Sequence, residues 1–209
     1  MNGPEFANTA YRIETKRLVL RCYNPSDAVM LAESITESVE HLRPWMPWAH
    51  SEPEPIEEKV QRLKVFRGEF DLGQNYIYGI FNLEGTRLLG GTGFHPRLGK
   101  NELEIGYWIH KDFINQGLVT ESTAALVKVA FELLRIHRIE IHCDPANLAS
   151  AAIPRKLGFV HEGTLRAKTR FLDRWSDSMI WGLLETDYPA SPSSKAEIKA
   201  FDANGQKVL

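Results

Sequence analysis

The chain has 209 residues, of which 43% are hydrophobic, 10% aromatic and 25% charged, enough apolar side chain for one domain with a sizeable core. Its formal net charge of −2 argues against a dedicated nucleic-acid binder and leaves a small molecule or a protein as partner. The two cysteines, Cys22 and Cys143, lie far apart in apolar surroundings without zinc-type spacing, so buried thiols in a reducing cytosol are a simpler reading than a disulfide.

The opening MNGPEFANTAYRIE has no apolar stretch, and no segment reaches the length of a membrane span, so a cytoplasmic protein is expected. Residues 17–23 (RLVLRCY) alternate and carry β-branched residues, which predicts a strand. Pro25, Ser26 and Asp27 then mark a turn and a helix start, with Val29, Leu31 and Ala32 as apolar positions. Residues 41–50 (HLRPWMPWAH) hold two prolines among aromatic and apolar residues and predict an ordered loop. Residues 51–73 predict a helix with acids in its first turns, where the dipole favours them. Its apolar stripe is Ile56, Val60, Leu63 and Phe66.

Three strand-like runs follow, 76–82, 87–95 and 102–110, joined by LEGT and PRLGKN, both of turn composition. Residues 118–134 give the strongest helical pattern, apolar at Leu118, Ala125, Leu126, Val129, Ala130 and Leu133. A strand over 138–143, a short helix from Asn147 to Gly158 and a strand over 174–185 complete the core. After Tyr188 the chain turns polar. One domain over 12–188 is expected, with terminal tails 1–11 and 189–209. Consecutive strands over 76–110 carry no helices between them, so the fold class is α+β or mixed α/β rather than simple doubly wound.

Two stretches carry chemistry. After GYWIH, Asn115, Gln116, Gly117, Leu118 and Val119 open the long helix, whose first turn presents unpaired N–H groups and the positive end of the dipole. Neither G-K-[S/T] nor G-x-G-x-x-G accompanies it, so a triphosphate P-loop and a dinucleotide fold have no support. A pyrophosphate held without metal stays open beside a plain helix start. In NLASAAIPRKLGF, Asn147 is a natural N-cap and Ser150 lies one turn in. Pro154 cannot donate to the carbonyl of Ser150, and Gly158 ends the helix. Alone, this is ordinary capping chemistry.

In this order, LEIGYWIHKDFINQGLVTES and RIEIHCDPANLASAAIPRKLGFVHEGTLR resemble the GNAT N-acetyltransferases. With TKRLVLRCYNPSDA and HLRPWMPW, the likeness narrows to the RimJ/RimL-like branch, the ribosomal-protein N-terminal acetyltransferases, and runs from about Arg12 to Tyr188. The resemblance implies a twisted, mostly antiparallel sheet flanked by helices and splayed between 102–110 and 138–143. It implies acetyl-CoA as co-substrate, without a metal. The pyrophosphate would meet backbone N–H groups of Gln116, Gly117, Leu118, Val119 and Thr120, and the pantetheine would pair along Tyr107, Trp108 and Ile109. Asn147 matches the family asparagine that contacts the pantetheine arm, and Ser150 a position facing the thioester sulfur. The turn departs from the family form of Arg or Gln, two residues, Gly, one residue, then Gly or Ala: Ile114 and Val119 hold its first and last places, and Asn115 replaces a further glycine.

The reaction implied is direct attack of an amine on the thioester, with no acetyl-enzyme. An α-amino group, with a pKa of roughly 7.7–8.0, needs less help to deprotonate than a lysine near ~10.4. Glu104 is the expected base, against the alternative of an outward-facing strand carboxylate. Ser150 is expected to hydrogen-bond the departing thiolate, against the alternative of a helix-turn hydroxyl. Trp45, Trp48 and His95, with Arg97, are expected on the acceptor side, although Trp45 and Trp48 equally suit a loop anchor. The acids Glu52, Glu54, Glu57 and Glu58 would attract a cation or merely start a helix. The acceptor is expected to be a protein N-terminus. A small amine, a CoA-binding module without turnover, and a homodimer stay open; neither nucleic acid nor membrane is expected as a partner.

Overall fold

The computed structural model describes residues 9–171 and 174–209. Strands β1 (Arg12–Glu14) and β2 (Leu18–Cys22) precede two helices, α1 (Ala28–Leu42) and α2 (Ile56–Asp71). The strands β3 (Tyr76–Asn82), β4 (Leu88–Gly99) and β5 (Glu102–Ile109) follow without helices between them. Then come α3 (Leu118–Glu132), β6 (Arg138–Cys143), α4 (Leu148–Lys156), β7 (Val160–Phe171), β8 (Arg174–Leu184) and β9 (Lys199–Phe201). Among the described residues this makes one nine-stranded sheet, ordered β7-β8-β6-β5-β4-β3-β2-β1-β9, with four α-helices. Its neighbouring pairs are antiparallel except β5–β6, which is parallel. The expected mixed α/β class holds.

Strand alternation sorts side chains onto the two faces of this sheet. From β2, Leu18, Leu20 and Cys22 enter a core with Ala125, Leu126, Val129 and Ala130 of α3. Val19, between them, enters a second core with Leu31 and Ile35 of α1 and Leu63 of α2. Helices therefore cover both faces. Each fully buried aliphatic side chain contributes about 1.5–3 kcal/mol, so two cores spread over the sheet explain why a nearly neutral chain folds without disulfides. Both cysteines are indeed free and buried.

Several expectations are corrected here. The segment expected as a C-terminal tail is folded: β9 pairs with β1 at Ile13↔Ala200, and Ala200 is fully buried. The N-terminal tail likewise ends early, because the hydroxyl of Tyr78 donates to the carbonyl of Ala10 at 2.7 Å; residues 1–8 of that expected tail lie outside the described residues. Strand β7 had no expectation at all. In the loop over 41–50, α1 continues to Leu42 and residues 47–51 form a 3-10 turn. Of the expected stripe on α2, Leu63 is buried but Ile56 is exposed, and Lys59 takes an interior place instead. Lys59 is only 1% exposed, held by Glu52 at 2.6 Å. Burying an ammonium is tolerable only with such a partner. That pairing, and the one between Arg62 and Glu54, engages two of the acids that the sequence left available to a cation.

Candidate active site

The sheet parts in one place. Strands β5 and β6 pair at Glu102↔Arg138, Leu103↔Ile139 and Glu104↔Glu140, and among the described residues no pair follows. Yet β5 stays on β4 up to Gly90↔Ile109, and β6 stays on β8 up to Cys143↔Met179. Residues 105–109 and 141–143 thus border an opening, as the resemblance implied. A cavity of about 770 Å³ occupies it, lined on β5 by Ile105, Gly106, Tyr107 and Trp108 and opposite by His142, Asn147 and Ser150.

The start of α3 follows β5 in the chain, although none of residues 116–120 lines the cavity. Gly117 has φ +75°, in the left-handed region, and no side chain caps the helix. Asn115 has φ +59°, the same region, which asparagine tolerates better than most residues. The family's missing glycine is therefore replaced without loss of the turn. The first helical bond runs from Glu121 N to Gly117 O, so the N–H groups before it remain to meet an anion. Leu118 is buried and anchors the turn, whereas Gln116 is exposed and Val119 and Thr120 half-buried. Arg17, at the head of β2, braces the turn by donating to Gln116 O at 2.9 Å and to Glu121 Oε2 at 2.6 Å. Thr15 donates to the other oxygen of Glu121 at 2.6 Å. Local sequence gives no hint of this brace, which joins residues about a hundred positions apart.

At the middle of the opening, Asn147 caps α4 as expected: its side-chain oxygen accepts from Ser150 N at 3.0 Å, leaving its amide nitrogen available. The Ser150 carbonyl, which Pro154 cannot serve, receives the Tyr107 hydroxyl at 3.1 Å. The same hydroxyl lies 3.2 Å from Ser150 Oγ. A proline in α4 thus frees an acceptor that β5 captures across the opening. Burial pushes the Tyr107 hydroxyl above its ordinary pKa, the Ser150 hydrogen bond offsetting part of the effect. It stays protonated and serves as a donor. Cys143 lines the same spot; burial raises its thiol, which keeps it from acting as a nucleophile.

Around the 41–50 segment, Trp45 and Trp48, with Tyr23 and Phe66, wall the cavity. Trp48 meets Trp108 edge-on at 5.9 Å. Gly91 makes room for this pair, because a Cβ there would lie 2.4 Å from Trp108 Nε1. Alternation on β5 therefore aims Trp108 at the aromatic loop and its neighbour Tyr107 at α4, while Ile109 packs against the α3 core. His95 and Arg97 also line the cavity. His95 Nδ1 lies 3.1 Å from Asn75 Oδ1. Burial, then the Arg97 charge, lower the His95 pKa against a smaller opposite pull from Glu104.

Glu104 is 6% exposed and sits behind the cavity wall. Both its oxygens are taken by Arg97, one from Nε at 2.8 Å and one from Nη2. Burial alone would raise its pKa, but the Arg97 hydrogen bonds and charge, helped by His142 and His95, outweigh it and hold the carboxyl below its usual value. The carboxylate expected as base is thus ion-paired to Arg97 through both oxygens. His142, which the sequence reading passed over, faces it: Nδ1 lies 3.6 Å from Glu104 Oε2, and Nε2 lies 2.5 Å from Glu140 Oε2. The E-x-H spacing of Glu140 and His142 was a visible signal, since strand alternation puts both on one face. The approach of Glu104 depends on register and was not.

Elsewhere, Glu37, His110 and Asp112 come close together, but the ring nitrogens face opposite ways. Nε2 meets Glu37 at 2.9 Å, and Nδ1 accepts from Asp112 N at 3.1 Å. His110 thereby caps the turn at 111–113.

Comparison with known proteins agrees with this fold. The acetyltransferase (GNAT) domain profile matches residues 17–160. YdaF of Bacillus subtilis is 29% identical over 175 residues, 83% of this chain and 94% of its own length. The [ribosomal protein uS5]-alanine N-acetyltransferase of Escherichia coli is 26% identical over 182 residues, 85% of this chain and 92% of its own. Among solved structures, RimL, a ribosomal L7/L12 alpha-N-protein acetyltransferase in complex with coenzyme A, superposes with a TM-score of 0.75 at 22% identity, over 81% of this chain and 95% of that one.

Proposed function

The chain belongs to the GNAT acetyltransferase family and is an acetyl-CoA-dependent N-acetyltransferase, and from that premise we propose that its acceptor is the α-amino group of a protein chain. One observation carries this reading. The cavity runs from the aromatic loop to the β7–β8 hairpin, where Thr169, Ser176 and Asp177 line it, a span suited to an extended chain rather than a compact amine. Proton chemistry supports it. The carboxylates along the cavity are engaged, Glu52 by Lys59 and Asp144 and Asp177 by the N–H groups of Ala146 and Ala167. Imidazoles remain, and an α-amine titrating at about 7.7–8.0 suits them better than a lysine at ~10.4. The ribosomal-protein acetyltransferases among its relatives point the same way.

In this reading the coenzyme's pyrophosphate rests on the α3 turn of Gln116, Gly117, Leu118, Val119 and Thr120. The pantetheine arm lies along Tyr107, Trp108 and Ile109 and meets the amide of Asn147. The acceptor enters between Trp45, Trp48 and His95. Its nitrogen bonds to the acetyl carbon, the C–S bond breaks, and the thiolate departs toward Ser150 Oγ, itself tied to the Tyr107 hydroxyl. The group supplied by acetyl-CoA is an activated acyl carbon. The protein's own residues orient it, exclude water and place a donor at the leaving sulfur.

The test is a panel of free-amine peptides and small amines with acetyl-CoA, read by thiol release. Faster turnover of peptides supports the proposal. Turnover confined to small amines refutes it, and coenzyme binding without thiol release from any amine would mark a module that has lost catalysis.

A further inference from the structure

Proton removal needs an assigned acceptor, and Glu104 is committed to Arg97. His142 occupies a different position. It lies two residues past Glu104↔Glu140, the last pair before the sheet parts, so the opening itself exposes the ring to the cavity. Its side chain is 22% exposed, enough to be reached and too little to be freely solvated.

The charged groups around the ring are few. On its own strand Glu140 meets Nε2 at 2.5 Å, and Glu140 Oε1 in turn accepts from Arg138 Nε at 2.7 Å. On β5 Glu104 faces Nδ1, with Arg97 of β4 behind it. Asp144, Asp177 of β8 and His95 of β4 line the same cavity. The 3.6 Å between Nδ1 and Glu104 is too long for a hydrogen bond. It leaves Nδ1 able to meet an amine directly or through one water. Carboxylates at both ends of the ring would flank the imidazolium that proton transfer creates, and the Glu140 contact fixes the ring's orientation.

We propose that His142, oriented by Glu140, is the catalytic base, and that Glu104 with Arg97 is a positioning pair. The acceptor ammonium loses one proton to His142 Nδ1. The neutral amine forms the N–C bond, the C–S bond breaks, and the nitrogen's second proton balances the one taken up by the thiolate. His142 returns its proton to solvent through the cavity. The assignment rests on acetyl transfer as such, so it is measured with whichever amine the enzyme turns over. The wild-type preference for peptides or small amines tests the acceptor reading, and the variant-to-wild-type ratio tests this one.

The experiment compares wild type, His142→Gln, Glu140→Gln and Glu104→Gln over the pH range in which the amine titrates, at saturating acetyl-CoA. His142→Gln is expected to lose on the order of 10²-fold in kcat/KM at about pH 7. The loss should shrink as pH rises past ~8 and the amine deprotonates by itself. Coenzyme affinity should be unchanged, and added imidazole should restore part of the rate of His142→Ala. Glu140→Gln should lose about tenfold in kcat with KM unchanged, which keeps the test decisive if His142 variants fold poorly. A His142→Gln enzyme with the wild-type rate and profile overturns the proposal. So does a pH-independent loss without imidazole rescue, or a pH dependence removed by Glu104→Gln instead.

Discussion

In the proposed reading the coenzyme and the acceptor meet different materials. At the α3 turn the site is made of backbone: an uncapped helix start, with Gly117 and Asn115 in left-handed conformations. Across the cavity it is made of side chains, Trp45, Trp48, Trp108, His95 and His142. A backbone site tolerates side-chain change because N–H groups belong to every residue but proline. That is why Ile114, Asn115 and Val119 replace the family's usual residues while the turn keeps its shape. A side-chain site has no such tolerance, and its residues should respond individually.

The largest effect that sharpens this contrast is expected on the acceptor side. Trp48→Ala should raise the KM for the acceptor about tenfold, in line with loss of a half-buried aromatic anchor. Coenzyme affinity measured by calorimetry should hardly move. A matched loss of both affinities would break the comparison by making the aromatic loop part of the coenzyme seat. Next comes the backbone itself. A Cβ on Gly117 meets only Arg17 Nη2 at 3.7 Å, an ordinary contact, so Gly117→Ala is opposed by conformation alone. It should cost about 1–2 kcal/mol of stability and weaken coenzyme binding several-fold, read by thermal unfolding and titration.

A smaller effect concerns Glu104. Its folded pKa lies below the unfolded value, so its ion pair stabilises fully above about pH 4.3 and is lost as pH falls through the lower, folded value. Arg97 is 60% exposed, which limits the contribution to about 1 kcal/mol. Glu104→Gln should therefore remove part of the acid sensitivity of the melting temperature between about pH 5 and 3. An unchanged acid profile would contradict the pairing. The smallest effect is expected from Val119→Ala, which leaves the N–H in place and should change coenzyme affinity less than about twofold. A large gain would mean that side-chain bulk limits the backbone seat after all.

Much of this site was legible because its signals are local. The helix over 118–132, the cap at Asn147 and the antiparallel run over 76–109 are periodicities and turn residues that need no partner to be read. The proline at 154 even foretold a carbonyl in need of a donor, though not that Tyr107 would supply it. What escaped depends on distant pairing. β7 carries Arg166, Lys168 and Arg170 toward its exposed end, with no apolar alternation to mark it. β9 has three residues and exists because β1 accepts it. The Arg97 partner of Glu104 arrives across a hairpin, and the parting of β5 and β6 that exposes His142 is a property of register.

The acceptor is the central claim, and the site of modification tests it most directly. A peptide with a free α-amine and an internal lysine is incubated with acetyl-CoA beside the same peptide with a blocked N-terminus, and the products are fragmented by mass spectrometry. One acetyl group on the α-nitrogen of the free peptide, and none on the blocked one, is the predicted result. Acetylation of the lysine in both would contradict it.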